Sequence, residues 1–231
     1  MKIVGIVGGM GPESTIDYYR SIVASYVERS PDGHYPALLI NSLDLRAVLA
    51  LFESNQRAQA AKLLSEAVER LAGAGATFGV LSANTPHLVF DEVRRQSRIP
   101  LISIVEVTCD AAESLGLKRV GLMGTRFTMQ GGFYEAAFSR QGISVVTPEP
   151  EDQVVIHEKY MTELVKGVFL PSTRGRLLTC ISRMKERQQI QGLILGGTEL
   201  PLILRDGPDL GIPLLDTTRI HVERIVAELL S

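Results

Sequence analysis

The chain has 231 residues, of which 45% are hydrophobic and 22% charged, with a formal charge of −2. That length supports one large domain or two small ones, each with a core of its own. The near balance of charge, without a clustered basic excess, excludes an electrostatic footprint for nucleic acid, and no apolar run reaches the ~18 residues that a membrane span needs.

In chain order, residues 2–7 read as a strand, apolar without interruption after Lys2, the pattern of a buried parallel strand. The chain opens directly into this strand, with no basic flank and apolar h-region, so a cytoplasmic location is expected. A glycine-rich loop follows, Gly8-Gly9-Met10-Gly11-Pro12, then a helical period over 16–27. A second strand spans 37–40 and ends in Asn41-Ser42. After it come a short helix and a longer one at 58–72, a strand at 78–81, a strand at 101–104 and a helix at 107–115.

The order then repeats: a strand at 120–123, a helix at 130–140, a strand at 144–147, helices at 152–166 and 172–188, strands at 192–195 and 213–215, and a last helix at 217–230. Alternating strands and helices joined by short links predict an α/β fold with parallel sheets and right-handed crossovers. The boundary between halves is expected near Gly116 to Lys118, giving an N-terminal half over 1–116 and a C-terminal half over 117–231, with the last helix returning to the first half.

The halves also repeat in detail. Residues 76–86 and 190–200 each run from an apolar strand through small residues into a Thr, with Ala83 answering Gly197. Arg98-Ile99-Pro100-Leu101-Ile102 answers Gly211-Ile212-Pro213-Leu214-Leu215, and the strand at Ile3 answers the strand at Arg119. A period this long is not that of a solenoid. It predicts two half-domains related by a pseudo-two-fold axis, with a ligand cleft between them.

Ligands of parallel α/β sheets sit beyond the carboxyl ends of the strands. Those ends carry Gly9, Met10 and Gly11, then Asn84 and Thr85, then Thr125 and Thr198, and these are the expected substrate contacts. Gly9-Met10-Gly11 is the start of a dinucleotide fingerprint, but Ser14 stands at the third glycine, so no nucleotide cofactor is expected. Free N–H groups of this loop, with Ser14 and Thr15, instead suit an anion at a helix start. Asn84, Thr85 and Thr198 suit a carboxylate or serve as helix caps. Arg46 and Lys166 are candidate counter-ions. His87 is either a base or a histidine tied into a helix start, and Glu199 either a proton carrier or an acceptor for backbone N–H groups. Cys109 and Cys180 have no disulfide or metal-ligand spacing and fall in helical patterns.

The stretch Val4-Gly5-Ile6-Val7-Gly8-Gly9-Met10-Gly11-Pro12-Glu13-Ser14-Thr15, with Asn84-Thr85-Pro86-His87 and Gly196-Gly197-Thr198-Glu199-Leu200, resembles the aspartate/glutamate racemase family along the whole chain. The resemblance implies a cofactor-independent isomerase, free of pyridoxal phosphate, a homodimer, and a small acidic amino acid or related carboxylate as ligand. It also implies a cysteine in each half, one taking the α-proton and the other returning a proton to the opposite face. Such chemistry needs a base and an acid on opposite sides with pKa values near working pH. At those two positions this chain has Ala83 and Gly197, which carry no proton. Thr198, Glu199 and His87 are the possible substitutes. Three readings therefore stand: a racemase with other proton carriers, a non-catalytic carboxylate or amino-acid binding protein, and a lyase or isomerase using a non-cysteine base.

Overall fold

The computed structural model describes residues 1–30, 33–204 and 210–231. It contains two compact units, one made of Met1–Val107 with Thr218–Ser231 and the other of Thr108–Thr217. The division falls inside a helix, ahead of the Gly116–Lys118 turn.

The first unit contains β1 (Ile3–Gly8), α1 (Pro12–Arg29), β2 (Ala37–Ser42), α2 (Leu45–Glu53), α3 (Arg57–Gly73), β3 (Phe78–Leu81), a 3-10 turn (Thr85–Val89), α4 (Phe90–Gln96), β4 (Leu101–Ile102) and the start of α5 (Ile104–Ser114). Its sheet is parallel throughout, in the order β2-β1-β3-β4. The second unit follows with β5 (Arg119–Gly124), α6 (Arg126–Gln130), α7 (Phe133–Ser139), β6 (Ser144–Val146), α8 (Pro150–Thr162), a 3-10 turn (Leu164–Lys166), α9 (Pro171–Gln188), β7 (Gly192–Gly196), α10 (Leu200–Leu204) and β8 (Leu214–Asp216). Its sheet is again parallel, in the order β6-β5-β7-β8. The α/β expectation is met, and the repeat seen in the sequence is a repeat of strand order. Among the described residues no helix is long and apolar enough to cross a membrane.

The last helix, α11 (Thr217–Leu229), belongs almost wholly to the first unit. Its Val222, Ile225, Val226 and Leu229 join Val4, Ile6, Tyr18, Ile22, Phe78 and Val80 in one core. A buried histidine fastens it: His221 donates from Nε2 to the Ile102 carbonyl at 3.1 Å and accepts the Tyr18 hydroxyl on Nδ1 at 2.8 Å. The core of the second unit gathers Ile156, Tyr160 and Leu164 with Leu177, Ile181 and Met184 under β5 and β7.

Several elements differ from the sequence expectation for visible reasons. The strand expected over 101–104 stops at Ile102, because the Ile104 N–H goes to His87 Nε2 and starts α5 instead of extending the ladder. The helix expected over 130–140 is α7, which begins only at Phe133 after Gly131-Gly132, where Gly132 has φ 73°, and a further short helix, α6, precedes it. The helix expected over 152–166 ends at Thr162 and tightens into the 3-10 turn before left-handed Gly167. The pieces α4 and α10, both short, were not legible as separate helices.

Because Ile225 is fully buried in the first-unit core, Ile225→Ala should cost about 2–4 kcal/mol, read as a lowered urea midpoint with an unchanged slope.

Candidate functional site

In each sheet the chain leaves the centre for one edge, then returns to the centre and leaves for the other. The switch points therefore lie between β1 and β3 in the first unit and between β5 and β7 in the second. Crevices at the carboxyl ends of such strand pairs are where open α/β sheets bind ligands. Four loops meet this condition, two in each unit, and they hold most of the residues singled out above.

In the first unit, the loop after β1 is folded back on its own helix. Gly9 has φ 80°, and a Cβ there would run into the Leu43 carbonyl and stand 2.5 Å from Ser42 Oγ, so only glycine fits. The Gly9 N–H donates to Thr15 Oγ1 at 2.8 Å, and that hydroxyl donates to the Gly11 carbonyl at 3.2 Å. Ser14 donates to the Ser82 carbonyl at 3.2 Å. The Gly9 N–H and the Ser14 and Thr15 hydroxyls thus serve to hold the loop, since a buried donor must find a partner. Met10 and Gly11 are buried beside them.

The loop after β3 carries Ser82, Ala83 and Asn84, all buried. Ser82 extends the strand pairing, its N–H and its hydroxyl both donating to the Val7 carbonyl at 3.0 and 3.1 Å. His87 lies beneath, stacked on Phe90 at 4.5 Å. Its Nδ1–H donates to the Ala83 carbonyl at 3.0 Å, while Nε2 accepts the Ile104 N–H at 3.3 Å. Burial, helped by His221, lowers its pKa to about 3. His87 is thus a neutral imidazole with both nitrogens engaged, fixing the backbone of position 83 from behind. Asn84 precedes the 3-10 turn without capping it, and Thr85, partly exposed, begins that turn.

In the second unit, Gly124 pairs with Gly196 so closely that a Cβ on Gly124 would strike the Gly196 carbonyl. Thr125 caps α6, accepting the Thr128 N–H at 3.3 Å. After β7 come Gly197, Thr198 and Glu199. The Glu199 carboxylate, 1% exposed, accepts a short hydrogen bond from the Tyr160 hydroxyl and one from Thr198 at 3.1 Å, both on Oε2. Both of these donors are side-chain hydroxyls. Burial, then the Glu199 charge, push the Tyr160 pKa well above the usual phenol value, so the hydroxyl stays protonated. Tyr160 was not singled out in the sequence: in the pattern of α8 it is one more apolar-face residue. A buried tyrosine needs a partner for its hydroxyl, and that partner is visible only in the fold.

The remaining candidates sit on helices and turns. Arg46 is exposed in the first turn of α2, its N–H donating to the Asp44 cap at 2.8 Å. Lys166 is exposed at the end of the second 3-10 turn. Cys109 in α5 and Cys180 in α9 are buried, and desolvation raises each thiol to about 11. Neither supplies a thiolate near neutral pH.

A family model for Asp/Glu/Hydantoin racemase matches residues 7–225. Over 99% of both chains, the sequence is 23% identical to a broad-specificity amino-acid racemase of Bacillus subtilis strain 168. A solved structure from Yersinia pestis, assigned provisionally as an Asp/Glu racemase, has 34% identity and TM-score 0.89 over all of both chains. A solved aspartate racemase homologue from Pyrococcus horikoshii OT3 has 32% identity and TM-score 0.84, also over all of both chains.

The two buried histidines make the first unit acid-sensitive. Their folded pKa values, about 3 for His87 and about 4 for His221, lie below the free value of 6.5. The unfolded chain then binds protons first, so stability is complete above pH ~6.5 and is lost as pH falls towards the folded values. At pH 5 each histidine should have cost about 2 kcal/mol. Glu135, in the second unit and raised by burial, works the other way. Urea midpoints should fall from pH 7 to pH 5, and His221→Asn should flatten that slope while lowering the midpoint at pH 7.

Proposed function

The chain belongs to the Asp/Glu/Hydantoin racemase family, and from that membership we propose that it acts on a small acidic amino acid or related carboxylate, using proton carriers other than a pair of thiols. Gly9, Met10, Gly11, Asn84, Thr85, Thr125 and Thr198 are the proposed contacts, with Arg46 and Lys166 as counter-ions. The protein is taken as cytoplasmic, homodimeric and independent of a cofactor. One observation carries the reading: Glu199, a buried carboxylate with two hydroxyls on one oxygen, lies beside Gly197 at the switch point of the second sheet. A carboxylate in a dry setting is a competent proton carrier when its pKa is brought towards the working range. His87, low in pKa and engaged at both nitrogens, fits support of the loop better than proton transfer.

A second reading, a carboxylate-binding protein without turnover, draws on Ala83 and Gly197 having no ionisable group and on both cysteines being buried in helices. Titration calorimetry with both enantiomers of aspartate and glutamate, followed by NMR of α-proton exchange in deuterated water, separates the two. We expect saturable binding and exchange above a protein-free control, with Glu199→Gln slowing exchange by about 100-fold or more. Binding without exchange would favour the binding protein. No binding by any of the four would sink the ligand class.

A further inference from the structure

Glycine at position 197 is not there for its backbone freedom. Among the described residues the left-handed glycines are Gly9, Gly11, Gly33, Gly75, Gly116, Gly132, Gly142, Gly167 and Gly211, and Gly197 is not one of them. What it lacks is room. A Cβ built on Gly197 would stand 2.7 Å from Tyr160 Oη and 2.8 Å from Cζ, with Cε2 nearer still. The ring has little freedom to give way. It is 4% exposed, packed in the core with Ile156, Leu164 and Leu200, and its hydroxyl is held by the Glu199 carboxylate. Overpacking of this kind costs stability unless the neighbour moves.

We infer that Tyr160 decides what position 197 can carry: its phenol takes the room of a side chain there, excludes a thiol, and leaves the Tyr160–Glu199 pair as the proton-bearing group at the carboxyl end of β7. Tyr160 is on this view a positioning residue for Glu199 and the steric partner of Gly197. The inference rests on the proposed function for what the loop acts on, but its principal test does not need a ligand.

That test is a set of substitutions at 197 in three backgrounds. With Tyr160 in place, Gly197→Ala and Gly197→Cys should lower the thermal midpoint by about 5 °C or more. In the Tyr160→Phe background, which keeps the ring, the same loss should remain. In the Tyr160→Leu background, which removes Cε2, Cζ and Oη, the loss should shrink to within about 1–2 °C. If Tyr160→Leu does not fold, Tyr160→Met removes the same atoms. An unchanged midpoint for Gly197→Cys with Tyr160 present overturns the inference. So does an equal loss in all three backgrounds, which would place the strain in the backbone.

The thiol itself gives a second readout. After Gly197→Cys it should react with a disulfide reagent about tenfold faster when Tyr160→Leu is added; equal rates count against the inference. Finally, Ala83→Cys with Gly197→Cys should gain aspartate α-proton exchange only when Tyr160→Leu is present. Gain without that third change overturns the role of Tyr160. Silence in both, with the midpoint series as expected, would count against the ligand assignment and leave Tyr160 standing.

Discussion

How closely the two central strands of each sheet run at their carboxyl ends governs everything placed on them. In the second unit, a side chain on Gly124 would strike the Gly196 carbonyl, and one on Gly196 would come within 2.6 Å of Leu122 Cδ1 and 3.0 Å of the Met123 carbonyl. In the first, the Val7 carbonyl receives both donors of Ser82, and Ser14 reaches from α1 to the Ser82 carbonyl. Parallel strands this tightly joined leave their following loops short and side by side, which is the condition for a switch-point crevice. Small residues at these ends serve approach of backbone to backbone before they serve any ligand.

On that common frame the two units support their central loops differently. Position 83 is buttressed by a neutral imidazole: His87 accepts from one backbone N–H and donates to one carbonyl, and burial keeps the ring uncharged. Position 197 is buttressed by a phenol that donates to a carboxylate. The first arrangement satisfies two backbone groups and introduces no charge. The second brings a carboxylate and two hydroxyls into a site with almost no exposure, where polar groups are costly unless mutually satisfied. The repeat of the sequence therefore conceals a chemical asymmetry, with a methyl group at one matched position and a hydrogen atom facing a tyrosine at the other.

Much of the frame was legible in the sequence. Continuous apolar runs at 3–7, 78–81, 120–123 and 192–195 marked the central strands of both sheets, because strands buried on two faces lose the polar alternation of edge strands. The repeated order of strand, glycine-rich loop and helix marked the loops beyond them. Boundaries set by side chains from elsewhere were not legible. β4 ends early because His87, from a distant turn, takes the Ile104 N–H. The Gly9 loop is closed on itself because Thr15 lies one helical turn inside α1, where its hydroxyl reaches back.

By itself the sequence determined the α/β class, the repeated order of strands and helices along the chain, the loops at the strand ends, and the identity of Ala83 and Gly197 as residues that carry no proton. These follow from local patterns, namely hydrophobic period, glycine placement and residue identity. Only the tertiary structure decided why Gly197 has no side chain, which groups Glu199 holds, and that His87 is a neutral brace. Each of those depends on which atoms of a distant helix or loop fill a space of a few ångströms, and pairing across such distances leaves no periodic trace along the chain.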